Sequence, residues 1–242
     1  MGAIGILGGM GPQASNKLYE LIIKKTANYT NAAIDEDYPE IVLLSVPVPN
    51  FISDKEQLPK ALEMLLEKTK LLEQAGCTIN GIACNTVHLL LPELQASTSV
   101  TFVSVPQLVS EKIKLAKYKR VGLLATPTTL QSTLYDNAIS TAEIIRPNKE
   151  MVAFAEECIY AELSGQLSDA QRKKFRIDLN KFKSDNQLDT VILGCTELPL
   201  VFGGSQYDES IIDTLDVLAD GLLEQYFSNT KRITLQASGA LQ

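Results

Sequence analysis

The sequence predicts an α/β protein of two similar domains, each a mainly parallel sheet flanked by helices. Short apolar runs alternate with segments of helical periodicity, a glycine-rich turn follows the first run, and a buried strand leading into a cysteine-containing turn occurs twice. Because parallel strands need crossover connections, which are usually helices, this alternation predicts parallel sheets that are covered on both faces.

The first half of the chain begins with a strand, a glycine turn and a helix whose apolar residues recur at Ala14, Leu18 and Ile22. The next strand leads through a proline-rich loop into a leucine-rich helix, which stops at Gly76, because glycine commonly ends helices. The strands expected in this half are 4–7, 41–46, 79–83 and 102–105.

The second half continues the alternation and ends in a helix that returns to the first half. Apolar residues from Ile211 to Tyr226 define that last helix. The predicted domains are therefore 1–105 together with 210–227, and 106–209, followed by a poorly ordered tail at 228–242. The other expected elements are strands at 121–125, 143–145 and 191–193, and helices at 107–116, 129–139, 150–163 and 168–183.

The composition indicates a folded protein that acts on a small molecule. The 242 residues carry a formal net charge of -7 and no long Lys/Arg run, which disfavours nucleic acid and anionic membranes as partners. No apolar run reaches about 18 residues, and no basic leader precedes the first strand, so neither a membrane span nor export is expected. Four cysteines without the density of a disulfide scaffold indicate reduced thiols and a cytoplasmic location.

The glycine loop at residues 8–12 admits three interpretations. Its backbone N–H groups can hold an anion at the start of a helix. Its spacing also fits the looser dinucleotide pattern of an NAD-linked oxidoreductase, but that pattern needs an acidic residue after the second strand, where Ser45, Val46 and Pro47 stand. The loop can also be a plain strand-to-helix turn.

Two of the four cysteines, Cys84 and Cys195, follow buried strands in matching places of the two halves. Ligands bind at the carboxyl ends of parallel strands, and both cysteines have polar neighbours there, whereas Cys77 and Cys158 read as packing residues. Two thiols on opposite sides of a cleft suit the removal of a proton from one face of a carbon and its delivery to the other. That chemistry is racemisation, and it requires thiolate formation near neutral pH.

An amino-acid carbanion also needs stabilisation when no electron sink is available. A dry site and preorganised donors to the substrate carboxylate can supply it. The side chains expected to act as these donors are Asn85, Thr86, Thr126, Thr129 and Thr196.

Four segments resemble the signatures of the aspartate/glutamate racemase family. They are 8–12 (GGMGP), 83–88 (ACNTVH), 124–126 with Thr129, Ser132 and Tyr135, and 194–198 (GCTEL). The resemblance implies two α/β domains with the active site in the cleft between them, Cys84 and Cys195 as catalytic residues, and Met10 and Glu197 in the substrate site. It also implies no cofactor, no metal ion, an amino-acid substrate and a homodimer. Glu197 stands where glutamate racemases usually have histidine, which places the chain nearer the aspartate branch.

The sequence departs from the family in the residues that bind an acidic side chain. A basic or amide residue is common after the second strand, where this chain has Phe51 and Ile52 with only Lys55 nearby. A family lysine expected near Glu162 is also missing, and Thr128 replaces a glycine of the carboxylate-binding turn. Aspartate is thus the family's first candidate substrate and glutamate the next.

Several alternatives remain open at this point. His88, four residues after Cys84, can lower the pKa of that thiol, act as the base of a Cys/His hydrolase, or cap a helix. Zinc bound by the two cysteines and His88 lacks the paired spacings of structural zinc sites. Glu197 can organise the Cys195 thiol, receive the substrate ammonium group, or be an ordinary carboxylate at a helix start. Related reactions are those of hydantoin racemases and malonate decarboxylases, and a non-catalytic binding protein is a further alternative.

Overall fold

The structure, a computed structural model, describes residues 2–51, 55–203 and 210–239, and confirms the predicted fold class in that part of the chain. Two four-stranded sheets, each parallel throughout, follow the same order, β2-β1-β3-β4 and β6-β5-β7-β8. The strands of the first sheet are β1 Ala3–Gly8, β2 Ile41–Ser45, β3 Cys77–Ile82 and β4 Thr101–Phe102. Those of the second are β5 Arg120–Leu124, β6 Glu143–Ile145, β7 Thr190–Leu193 and β8 Ile211–Asp213.

Helices connect the strands of each sheet and cover its faces. The helix after β1 begins at Pro12, where a missing N–H costs nothing, and buries Ala14, Leu18 and Ile22 against the sheet. The helices are α1 Pro12–Thr30, α2 Leu58–Gln74, α3 Leu91–Ala96, α4 Val105–Ala116, α5 Pro127–Gln131, α6 Leu134–Ala138, α7 Lys149–Leu163, α8 Asp169–Asp185, α9 Leu198–Phe202 and α10 Thr214–Gly239.

The chain crosses between the halves twice, first through α4 and then from β8 into α10. Helix α10 packs against α1, α4 and β3. Lys25 of α1 fixes this packing through ion pairs with Asp216 at 2.9 Å and Asp220 at 2.8 Å. One hydrophobic cluster runs through both halves, from Ile4 to Val121 and Leu222, so the two sheets share part of their core.

Some boundaries differ from the sequence prediction. Ile211, expected in the last helix, lies in β8, which pairs with β7 of the second sheet, and α10 begins at Thr214. The strand expected at 102–105 ends at Phe102, because Pro106 supports the first turn of α4. The helix expected at 129–139 is two helices separated by the extended residue Ser132.

Helix α10 extends to Gly239, and neither glycine nor proline interrupts the chain between Gly221 and that residue, while 240–242 lie outside the described residues. Among the described helices, none combines the length and the apolar character that a membrane crossing requires.

Candidate active site

Cys84 and Cys195 line one cavity of about 290 Å³ between the two halves. Cys84 follows β3 and Cys195 follows β7, the strands that occupy the same position in the two sheets. Each thiol-bearing residue is buried, with 5% and 7% of its surface exposed. The repeated strand-and-turn pattern of the sequence therefore brings the two cysteines to one cavity.

The surroundings of Cys84 both favour and oppose its ionisation. Burial raises the pKa of the Cys84 thiol to about 12, and the negative charge of Glu197 adds to this effect. The backbone N–H groups of Val87 and Thr86 donate hydrogen bonds to the sulfur, and these bonds lower the pKa and so oppose the effect of burial. Cys84 is thus the thiol that the protein equips with donors for a thiolate.

Cys195 has a different balance of contacts. Burial followed by the charge of Glu197 raises its pKa well above the usual value, its S–H group donates to Oε2 of Glu197 at 3.1 Å, and a single backbone N–H, that of Glu197, donates to its sulfur. The Thr196 hydroxyl donates to the same oxygen at 3.1 Å, and the N–H of Gly11 donates to Oε1 at 3.1 Å. Glu197 therefore favours the protonated form of Cys195 and links it to the glycine loop of the first half.

The predicted threonine donors form a hydroxyl cluster at one end of the cavity. Thr86 and Thr126 line the cavity, and their Oγ1 atoms are 3.4 Å apart. Thr129 is not among the lining residues, because its side chain packs beneath them, with its Oγ1 2.9 Å from that of Thr86 and 3.2 Å from that of Thr126. Thr129 orients the two hydroxyls that face the cavity.

Asn85 lines the cavity, but its side chain also connects the halves. Its Oδ1 accepts from the Tyr135 hydroxyl at 2.6 Å, and its Nδ2 donates to Thr214 Oγ1 at 2.9 Å. Thr214 in turn donates to the Leu193 carbonyl at 2.9 Å. The predicted donor role of Asn85 is therefore restricted to its remaining amide hydrogen and its backbone.

Both ring nitrogens of His88 face backbone groups. Its Nδ1 donates to the Cys84 carbonyl oxygen at 2.9 Å, and its Nε2 accepts from the Val105 N–H at 3.2 Å. Burial lowers the pKa of His88 to about 4, so the ring is neutral at pH 7. This geometry favours the structural role over the hydrolase base. Within the described parts of the chain, no group of three or more His, Cys, Asp or Glu side chains is arranged to hold a metal ion.

The glycine loop brings the first half against the cavity. Gly9, Met10, Gly11 and Pro12 all line it. Gly9 has a φ of 94°, and a Cβ there would lie 2.3 Å from the Val46 backbone nitrogen, so the turn requires glycine. The loop N–H of Gly11 is already bound to Glu197.

The far wall of the cavity contains residues that the sequence interpretation did not single out. Helix α7 contributes Glu156, Ile159, Tyr160 and Leu163, spaced so that they share one helix face, and the loop after β2 contributes 48–51. No lysine or arginine lines the cavity within the described residues, although 52–54 and the side chain of Lys55 lie outside them. The i, i+3, i+4, i+7 pattern could have identified this face, but a core-facing helix has the same pattern.

The carboxylate of Glu162 is engaged outside the cavity. It pairs with Arg172 at 2.8 Å and is not among the lining residues. Glu156, two turns nearer the start of α7, is the carboxylate that this helix presents to the cavity.

Comparisons with known proteins identify the family of the chain. A family model for Asp/Glu/Hydantoin racemases matches residues 7–222. The chain is 27% identical over 232 residues to the broad specificity amino-acid racemase RacX of Bacillus subtilis, covering 93% of this chain and 98% of that protein.

Two solved structures superpose on most of this chain. An aspartate racemase homologue from Pyrococcus horikoshii superposes with a TM-score of 0.76 at 28% identity, covering 93% of this chain and 99% of that one. The aspartate racemase of Picrophilus torridus superposes with a TM-score of 0.77 at 28% identity, covering 93% and 94%.

Proposed function

This chain belongs to the Asp/Glu/hydantoin racemase family, and from this premise we propose that it racemises amino acids without a cofactor, using Cys84 and Cys195 as opposed acid and base. The observation that carries the proposal is the shared cavity, which receives one thiol from each half of the molecule. Cys77 and Cys158 are buried elsewhere in the hydrophobic clusters.

The proposed reaction moves one proton onto a cysteine and one proton off the other. The Cys84 thiolate removes the α-proton from one face of the substrate and becomes a thiol. The electron pair of the broken C–H bond remains on Cα and is delocalised into the substrate carboxylate. Cys195 then delivers its S–H proton to the opposite face and becomes the thiolate. The reverse reaction uses the two thiols in exchanged roles.

The starting protonation states follow from the hydrogen bonds. Cys84 receives two backbone N–H donors, whereas Cys195 receives one and also donates its S–H to the Glu197 carboxylate, so the negative charge belongs on Cys84 at the start. A second thiolate in the same buried cavity would add like-charge repulsion. The positive substrate ammonium group favours forming the one thiolate, and Glu197 is a suitable partner for it.

The carbanion requires donors that are oriented before the reaction. Thr86 and Thr126 line the cavity with hydroxyls that are held by Thr129, whereas the Thr196 hydroxyl is already donated to Glu197. Donors aimed at developing carboxylate charge in a water-poor site stabilise the transition state more than they would in water. The apolar walls of the cavity support such a site.

The substrate is a separate question from the reaction. The resemblance makes aspartate the first candidate and glutamate the second. The broad specificity of the Bacillus subtilis relative supports testing other amino acids as well. The homodimer, the cytoplasmic location and the absence of a cofactor remain parts of the same proposal.

The experiment measures exchange of the substrate α-proton with solvent deuterium. Reduced protein without added cofactor is incubated with each L- and D-amino acid in heavy water, with loss of the α-proton followed by NMR and inversion by chiral chromatography. Deuterium incorporation with inversion is expected. Absence of exchange with every amino acid would instead favour a hydantoin, a malonate or a binding role.

The cysteines are tested separately. Cys84→Ser and Cys195→Ser are each expected to abolish racemisation, because each removes the group that works on one face. Cys77→Ala is the control, since Cys77 lies at the start of β3 and does not line the cavity. Wild-type racemisation by either serine variant would contradict the two-thiol mechanism.

A further inference from the structure

The far wall of the cavity is a side-chain subsite, defined here as residues 48–51 together with Glu156, Ile159, Tyr160 and Leu163 of α7. Most of this wall is apolar. Phe51 is buried at 7% exposure, and the α7 residues add an aliphatic and aromatic surface. A substrate side chain that fills the subsite therefore needs an apolar portion.

Glu156 is the charged residue of this subsite. It is half-buried and has no hydrogen-bond or ion-pair partner among the described residues. Glu197, the other cavity carboxylate, is bound by Gly11, Cys195 and Thr196. The unpaired carboxylate is thus the one on the side-chain wall.

The position of Glu156 favours a long side chain. Leu163 touches the glycine loop, since a Cβ on Gly11 would lie 2.6 Å from Leu163 Cδ2 and 2.9 Å from Glu197 Oε1. Seven residues separate Leu163 from Glu156 along α7, which is about 10 Å at the rise of an α-helix. Glu156 therefore lies at the end of the α7 face that is far from the glycine loop and Glu197.

Charge distinguishes the possible substrates. An acidic side chain would approach Glu156 with like charge and would find no cation on the described lining residues. A purely apolar side chain would cover the carboxylate without pairing it, which is unfavourable. A side chain with an aliphatic stem and a cationic end satisfies both the apolar wall and Glu156.

We propose that the side-chain subsite selects amino acids whose long aliphatic side chain ends in a cation, such as lysine, ornithine or arginine, with Glu156 as the residue that pairs with the cation. This inference rests on the proposed racemase function. It replaces the aspartate of the family resemblance with an amino acid of opposite side-chain charge.

The test compares lysine with norleucine, which has a similar stem but no cation. Binding of both is measured by calorimetry, and α-proton exchange of lysine, norleucine, glutamate and aspartate is measured by NMR in heavy water. Wild-type protein is expected to prefer lysine to norleucine by about tenfold or more, as a charge-assisted contact predicts. Glutamate and aspartate are expected to be the poorest substrates.

Variants locate the effect. Glu156→Gln is expected to lose about tenfold or more in affinity and kcat/KM for lysine while norleucine changes by less than about threefold. Glu157→Gln is the matched control, because Glu157 is exposed and accepts a hydrogen bond from Gln171 outside the cavity. Glu156→Lys is expected to raise exchange of glutamate.

The outcomes separate this inference from the racemase proposal. If aspartate exchanges its α-proton and lysine does not, the subsite proposal is overturned and the racemase proposal stands. The same holds if the ratio of lysine affinity to norleucine affinity is unchanged in Glu156→Gln. Lysine binding that depends on Glu156, without exchange of any amino acid, supports the subsite and overturns the racemase. Lysine exchange that depends on Glu156 supports both.

Discussion

The hydroxyl of Tyr135 is expected to stabilise the turn that carries Cys84. Tyr135 is 1% exposed, and its hydroxyl donates to Asn85 Oδ1 at 2.6 Å. Tyr135→Phe preserves the ring and leaves a buried amide oxygen without that donor, which costs about 1–3 kcal/mol. For a chain of this size, a loss of about 2 kcal/mol lowers the unfolding midpoint by roughly 4–8 °C.

Activity should fall together with stability in this variant. Asn85 is the neighbour of Cys84, so a small displacement of the turn is expected to lower kcat/KM by about tenfold. Urea unfolding gives the free energy, and exchange in heavy water gives the rate. Tyr19→Phe is the control, because Tyr19 is 45% exposed on α1 and is expected to change the free energy of unfolding by less than about 0.5 kcal/mol.

A double-mutant cycle tests whether Tyr135 and Thr214 are coupled through Asn85. Thr214 receives the other hydrogen bond of Asn85 at 2.9 Å, so Tyr135→Phe and Thr214→Val should couple by more than about 0.5 kcal/mol. The reasoning would be refuted if Tyr135→Phe had the same unfolding free energy as the Tyr19→Phe control. It would also be refuted if the effects of Tyr135→Phe and Thr214→Val on the unfolding free energy were strictly additive.

Three further predictions concern ionisation. Alkylation of Cys84 by iodoacetamide, followed by peptide mass spectrometry, should still accelerate above pH 9, because its pKa is raised to about 12; a plateau near about 8.5, the pKa of a free thiol, would contradict this. Glu197→Gln should speed alkylation of Cys195 at pH 8, since the variant loses the carboxylate charge that favours the thiol, and an unchanged rate would exclude that role. His88 is neutral when folded down to about pH 4 but protonates near 6.5 when unfolded, so its own contribution to stability should fall by about 3 kcal/mol as the pH drops from 6.5 to 4. Because burial raises the pKa of Asp213 to about 6, and this shift acts in the opposite direction over this range, the loss is measured as the difference between the wild-type and His88→Gln unfolding free energies at each pH.

The fold was predictable because its signals are long and repeated. Buried runs such as 79–83 and 191–193 read as strands, and the helices between them have clear periodicity. The β8 strand was missed because three residues, Ile211–Asp213, are too short to show a strand pattern beside a long helix. Burial and pairing with β7 define that strand, and neither is visible in the sequence.

The reaction end of the candidate site was more predictable than its side-chain end. Cys84 and Cys195 stand in repeated motifs, and strand polarity brings both to the cavity. Glu156 has no motif, and its place depends on which face of α7 turns toward the other half. Thr129 shows the same limit, since its sequence position does not reveal that it packs beneath Thr86.

The two crossings between the halves have a mechanical consequence for Cys84. His88 binds the N–H of Val105, the first residue of α4, and Asn85 binds Thr214, the first residue of α10. The turn after Cys84 is therefore attached to both crossings. Because both attachments lie within four residues of Cys84, the turn that presents the sulfur is held at the first residue of each crossing.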